Sequence, residues 1–150
     1  MAQIQLPEDF KELLNLLNAN RVKYLLVGGY AVGIHGYVRA TGDIDIWINK
    51  SEENSLKICQ ALKQFGFDIS KEERKRLLND DQILRMGITP LRAKIMTSIS
   101  GVDFADCWPS KLIVKIDGIE IPVLALDDLL TNKKASGRHK DLADIDELDI

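Results

Sequence analysis

Asp43 and Asp45 stand one residue apart in the otherwise apolar run "DIDIWI", and their spacing is the first sign of chemistry in this chain. On a strand, residues i and i+2 point the same way, so Asp43, Asp45 and Trp47 share one side while Ile44, Ile46 and Ile48 pack on the other. Converging carboxylates in a sheet need a cation, a hydrogen-bond network or water. A solvent-facing edge strand with two ordinary surface aspartates meets that need, and so does a cation site. Upstream, Gly28 and Gly29 end the apolar run "VKYLLV" and enter a short helical segment. Exposed backbone N–H groups at such a turn can hold phosphate oxygens without side-chain obstruction. A phosphate cradle ahead of a carboxylate pair suits Mg²⁺, which is bound through one or two carboxylates together with substrate phosphates.

Further polar residues surround this pattern, each with a plain alternative. His35 follows the glycine turn and either orients substrate or the turn itself or, as a lone histidine without a metal-ligand partner, is structural. Arg39 and Thr41 precede the acidic strand and either contact a triphosphate or settle the loop by pairing and capping. Lys133, Lys134, Arg138 and Lys140 form a basic cluster around Gly137. The cluster could approach a nucleotide, but a helix C-terminus favours cations for its own sake. Asp141 and Asp144 read as partners of that cluster or as residues serving the following helix. Trp47 and Trp108 read as core or interface aromatics.

The elements that must position these residues alternate along the chain. "LPEDFKELLNLLNAN" places Phe10, Leu13, Leu14 and Leu17 at helical spacing behind Pro7, with acids in the first turn. "VKYLLVGG" predicts a strand, "YAVGIHGY" a short helix, and "DIDIWI" a strand. "SEENSLKICQALKQFG" predicts a helix from a Ser51 cap to a Gly66 stop, with Leu56, Cys59 and Leu62 on one face. "KEERKRLLNDD" reads as a solvated surface segment, helix or loop, whose four cations could also face a polyanion. "QILRMGI" and "LRAKIMTSIS" predict two strands joined by a turn at Thr89-Pro90. "KLIVKIDGIEIPVL" predicts a hairpin turning at Asp117-Gly118. The final stretch predicts a helix to about Ala135, a break at Gly137 and a second short helix. Interleaved strands and helices imply an α+β domain of two layers, a mixed β-sheet covered by helices.

Composition bounds the possible functions. A chain of 150 residues, 45% hydrophobic and 29% charged, is expected to fold as one domain spanning 1–150. Its formal charge of −3 argues against long duplex nucleic acid held by phosphate neutralisation. Cys59 and Cys107 lack metal-ligand spacing, and no apolar run approaches a membrane span. The N-terminus carries no signal-peptide pattern, so a cytoplasmic location is expected.

The pattern of a strand, Gly28-Gly29, a short helix and a strand bearing Asp43 and Asp45 resembles the DNA polymerase beta-like nucleotidyltransferase superfamily. The stretches "MTSISGVDFADCW", "IPVLALDDLLTNKKASGR" and "KDLADIDEL" extend the likeness toward small single-domain bacterial members related to abortive-infection toxin nucleotidyltransferases. The resemblance implies a nucleotidyltransferase fold and transfer of a nucleoside monophosphate from a nucleoside triphosphate to an acceptor hydroxyl at a two-Mg²⁺ site. Such chemistry needs positioning and charge neutralisation more than a protein nucleophile. The acceptor is left open among a small molecule, a protein side chain and an RNA end. A toxin-like role would bring an antitoxin-like protein partner.

One position departs from the family pattern. The resemblance implies a third carboxylate on a neighbouring strand, and strand alternation in "RAKIM" puts Lys94 in its place. An ammonium cannot ligate a metal, and a unit pair of charges at about 4 Å is worth roughly 4 kcal/mol at an effective dielectric near 20. Metal binding is therefore expected to be weakened or limited to a single ion, with Asp43 and Asp45 as ligands and Lys94 in the catalytic row. Asp103 and Asp106, beyond Gly101, read as helix-start residues, with Asp103 the reserve candidate for the missing acid. The alternative to an enzyme is a nucleotide-binding or interaction module on the same fold, with Lys94 replacing a metal's charge.

Overall fold

The structure, a computed structural model, describes residues 4–39, 41–88 and 91–148. Helix α1 (Glu8–Ala19) starts behind Pro7 and buries Phe10, Leu13, Leu14 and Leu17, the face its spacing predicts. Strand β1 (Tyr24–Val27) is buried throughout. Helix α2 (Gly28–Ile34) begins on the two glycines themselves, earlier than the sequence predicts. Strand β2 (Asp43–Ile48) carries the aspartate pair.

Helix α3 (Glu52–Phe65) is capped by Ser51, whose side chain accepts from the Asn54 N–H, and ends on Gly66 in the left-handed region. The predicted face of α3 needs correction. Its buried stripe is Asn54, Ser55, Ile58, Ala61 and Leu62, while Leu56 is exposed and Cys59 half-buried. Asn54 rotates the stripe because it is recruited inward: its side chain bonds the Lys23 N–H and the carbonyls of Lys23 and Asn49, tying the helix start to the strand ends. The charged "KEERKR" segment forms α4 (Lys71–Arg76), a short solvated helix held by a Ser70–Glu73 capping box.

Strands β3 (Ile83–Ile88) and β4 (Leu91–Met96) pair antiparallel; the Thr89-Pro90 turn predicted between them lies outside the described residues. After a short helix α5 (Phe104–Cys107) and a 3₁₀ turn, β5 (Leu112–Ile116) and β6 (Ile119–Val123) form the predicted hairpin. Asp117 and Gly118 both adopt positive φ there, as the two-residue turn requires. Helices α6 (Leu126–Ser136) and α7 (His139–Leu148) are separated by Gly137, left-handed at φ 66°.

The six strands form one mixed sheet in the order β3-β4-β2-β1-β6-β5. β2 runs antiparallel to β1 and parallel to β4, and β1 runs parallel to β6. This mixed α+β arrangement is the architecture the element order implied. Pleating then divides the central strands by face. Ile44, Ile46, Ala93, Ile95, Leu84 and Met86 are buried in the core, and on the other face Asp43, Asp45, Arg92, Lys94 and Arg85 form a polar floor that gives way to the buried Trp47.

Trp47 belongs to the core. Its ring meets Phe104 edge to face and its indole N–H donates to the Thr97 carbonyl. Trp108 stacks on Phe104 with the Lys111 ammonium 4.0 Å over its ring.

Candidate active site

The polar floor opens into a cleft of about 360 Å³, lined among others by Gly28, Gly29, Arg39, Thr41, Asp43, Asp45 and Lys94. The parallel register of β2 and β4 sets Asp43 beside Arg92 and Asp45 beside Lys94. Lys94 therefore stands in the row where the resemblance implied a third acid, and its Nζ lies 3.3 Å from Asp43 Oδ2. Arg92 Nε donates to the other oxygen of Asp43 at 3.1 Å. Both oxygens of Asp43 are thus engaged by cations.

Asp45 is placed differently. Its Oδ1 is buried without a hydrogen-bond partner among the described residues. Burial pushes the Asp45 carboxyl above its usual range, with Asp43 adding to the shift and the charges of Lys94, Lys140 and Lys133 opposing it. A buried carboxylate oxygen with nothing to bond is costly, so the fold supports this one at a cost in stability.

The two glycines have different reasons to be there. Gly28 sits at φ +68°, and a Cβ on it would fall 2.1 Å from Asp45 Oδ2, so its missing side chain is what lets the carboxylate lie against the turn. At Gly29 a Cβ would come within 3.1 Å of Thr41 and 3.3 Å of Arg39. Gly29 therefore allows close approach of Arg39 and Thr41, in addition to facing the cleft.

Arg39 and Thr41 each have contacts of their own. Thr41 Oγ1 bonds the Asp43 carbonyl, and Arg39 makes a two-pronged pair with Asp144 at 2.9 and 3.0 Å. Both residues line the cleft, but the fork of Arg39 is already occupied by protein. The predicted basic cluster resolves into separate parts. Lys133 is buried between Asp141 at 3.1 Å and Asp144 at 3.3 Å, Arg138 chelates Asp141, and Lys140 faces the cleft. His35 lies outside the floor, with Nε2 2.7 Å from the Leu124 carbonyl, the structural role its isolation suggested.

Asp103 needs correction as the reserve ligand. It precedes α5 without capping it through its side chain, and with Asp106 and Asp128 it lines a different pocket. Arg92 and Arg85 were missed in the sequence. The signal was present, since "RAK" repeats on β4 the i, i+2 spacing of "DID", and Arg85 alternates with the buried Leu84 and Met86. What alternation lacks is register, which alone places these cations beside Asp43 and Lys94.

The residues can be tested against the two-ion site of the resemblance. Among the described residues no cluster of three histidine, cysteine or carboxylate side chains is arranged to hold a metal. Asp43 is neutralised by Arg92 and Lys94, while Asp45 keeps a free oxygen. The donor set fits one divalent ion at Asp45 and does not fit two.

Comparison with known proteins bears on the fold and the family. A provisionally assigned nucleotidyltransferase from Thermotoga maritima superposes with a TM-score of 0.62 at 19% identity, covering 91% of this chain and 88% of its own. The lincosamide antibiotic adenylyltransferase LnuA, solved with lincomycin bound, matches at a TM-score of 0.59 and 16% identity over 98% of both chains. An antigenic nucleotidyltransferase-like protein from Paracoccidioides brasiliensis gives 0.54 at 14% identity, over 91% of this chain and 70% of its own. At such identities the likeness establishes the nucleotidyltransferase fold. No curated protein matches the sequence. A family model described as nucleotidyltransferase of unknown function (DUF6036) matches residues 4–150. Because that match takes in the helices α6 and α7 and the β5–β6 hairpin as well as the glycine turn and the aspartate strand, the chain belongs to the DUF6036 nucleotidyltransferase family.

Proposed function

We propose that this chain binds a nucleoside triphosphate in the β1–β2 cleft and transfers its nucleoside monophosphate to an acceptor hydroxyl, with Lys94 limiting the metal complement to one Mg²⁺. The observation that carries this reading is Asp45, a half-buried carboxylate with one buried, unpartnered oxygen, lining a cleft whose other charged walls are mostly cationic. Such an oxygen is what a divalent ion completes. Asp45 would hold the ion, with Asp43 beside it, and the ion would neutralise phosphate charge as it develops.

The remaining work falls to the chain itself. The turn at Gly28 and Gly29 would cradle phosphate oxygens, and Lys140 would supply positive charge along the triphosphate. Arg39 and Thr41 would form the wall of the cleft against Gly29. The acceptor oxygen forms a bond to the α-phosphorus as the bond from that phosphorus to the pyrophosphate oxygen breaks. Pyrophosphate leaves and the hydroxyl proton is released.

The test is pyrophosphate release and nucleotide incorporation by the unaltered chain, Lys94→Asp and Lys94→Ala. Lys94→Asp should tighten Mg²⁺ and raise transfer by about tenfold or more, because it supplies a ligand and removes a repelling charge. Lys94→Ala should recover metal binding only in part. Brisk transfer by the unaltered chain with no gain from Lys94→Asp would remove Lys94 from the catalytic row.

A second reading is favoured by one observation, the Lys94–Asp43 ion pair. With a fixed ammonium where a metal's charge belongs, the chain would bind nucleotide without transferring it. Triphosphate affinity that does not depend on Mg²⁺, together with no transfer by any variant, is the result that selects it. The narrower kinship with abortive-infection toxins rests on the quoted motifs and predicts an antitoxin-like partner, tested by growth arrest on expression with and without the neighbouring gene. No helix among the described residues is long and apolar enough to cross a membrane.

A further inference from the structure

Six cations line the cleft, Arg39, Arg85, Lys94, Lys133, Arg138 and Lys140, against the carboxylates Asp43 and Asp45. Four of them are held in ion pairs: Arg39 by Asp144, Lys94 by Asp43, Lys133 by Asp141 and Asp144, and Arg138 by Asp141. Arg85 and Lys140 have no carboxylate within ion-pair distance among the described residues. Lys140 lies on α7, whereas Arg85 lies on β3, at the edge of the sheet.

The register makes the position of Arg85 specific. Asp45 pairs with Lys94, and Lys94 pairs with Arg85, so the three form one row across β2, β4 and β3. β1, which leads into Gly28, is on the opposite side of β2. With strands about 4.8 Å apart, Arg85 is roughly 10 Å along the floor from Asp45, on the side away from the glycine turn. Two cations directly opposite on neighbouring strands repel, so stability does not explain Arg85 beside Lys94. Arg92, exposed on the same face of β4, adds a third positive charge to this end.

Resting on the nucleotidyltransferase reading, we infer that Arg85, with Lys94 and Arg92, forms an anion subsite for the second substrate, and that the acceptor carries a phosphate group near the hydroxyl that is nucleotidylated. The donor triphosphate is placed at the glycine end of the row, and the acceptor must reach the same carboxylates from the other end. An arginine fork suits a phosphate oxygen pair there. An uncharged or cationic acceptor would leave Arg85 facing it without compensation, since Lys94 and Arg92 already share the single charge of Asp43.

The experiment uses the full chain saturated with a nucleoside triphosphate analogue bearing a non-cleavable α,β-methylene bridge. Glycerol 3-phosphate and adenosine 5′-monophosphate are then titrated by calorimetry, with glycerol and adenosine as their unphosphorylated counterparts. The phosphorylated probes should bind at least about tenfold more tightly, and Arg85→Gln should abolish that advantage while changing the affinity of the analogue less than about twofold. Lys115→Gln, an equal loss of charge on the exposed far-edge strand β5, should leave the advantage intact. Equal binding of phosphorylated and unphosphorylated probes, or loss of the advantage in Lys115→Gln, overturns the subsite. So does a large fall in analogue affinity in Arg85→Gln, which would assign the arginine to the donor. If the analogue itself fails to bind, the nucleotidyltransferase reading fails separately, and the same titrations without analogue still show whether phosphate recognition depends on Arg85.

Discussion

Asp43 and Asp45 on β2, and Asp141 and Asp144 on α7, are two carboxylate pairs at spacings that put both members on one face, i, i+2 on a strand and i, i+3 on a helix. The helical pair is more deeply buried, at 0% and 1% exposure, yet it is fully satisfied. Asp141 receives Lys133 and Arg138, and Asp144 receives Arg39 and Lys133. Burial alone would push the Asp141 carboxyl up, but hydrogen bonds from Arg138, Ser136 and Lys133 overcome it and hold the group well below the usual carboxylate range. The strand pair is less buried and less satisfied, with an orphaned oxygen on Asp45 and a carboxyl pushed up by burial. Buried charge with every partner in place builds structure. Buried charge with a partner missing costs the fold stability instead.

The largest effect should come from breaking the satisfied pair. Lys133→Met removes a cation shared by both helical aspartates and leaves them buried with fewer partners, at an expected cost of about 3–5 kcal/mol. Urea denaturation reads that loss directly. A cost below about 1 kcal/mol would mean that Arg39 and Arg138 suffice and that the two pairs differ less than their geometry implies.

The opposite sign is expected at the strand pair. Asp45→Asn removes a desolvated charge and should raise stability by about 1 kcal/mol while abolishing metal-dependent transfer. A thermal melt checks the first part and pyrophosphate release the second. A destabilised Asp45→Asn would show that the carboxylate is satisfied in the folded chain after all.

A smaller effect separates the pairs by pH. The folded Asp141 carboxyl sits below its unfolded value, so its stabilisation is present above about pH 4 and is lost as pH falls, because the unfolded chain takes up the proton first. The folded Asp45 carboxyl sits above its unfolded value, so ionising it costs stability as pH rises from about 4 through the folded value. Denaturation midpoints from about pH 3 to 7 should show a shallower acid limb in Asp141→Asn, and in Asp45→Asn removal of the loss on the rising side.

How much of this was legible in the sequence depends on the range of the interaction. Pro7 and the Phe10–Leu17 spacing, the Ser51 cap, the Gly66 stop and the Asp117-Gly118 turn act within a few residues, and each yields the element it predicts. Strand alternation likewise grouped Asp43 with Asp45, because the side-chain period is a property of the strand alone. The Leu56 expectation failed because Asn54 bonds three backbone groups of the β1 and β2 flanks and turns the helix to reach them. No local pattern carries that contact.

The charge balance of the site belongs to the second kind. The chain itself determined which residues could be charged, which strand faces they share, and that "DID" follows a glycine turn. Only the tertiary structure decided that Arg39 is spent on Asp144, that Lys133 serves two buried aspartates, and that Lys94 lies between Asp45 and Arg85. Arg39 and Asp144, and Asp45 and Lys94, are far apart along the chain, and Lys133 meets its aspartates only where α6 packs on α7; helix packing, strand order and register set these pairings. A shift of one residue in the β2–β4 register would move Lys94 out of the row without altering a single local signal.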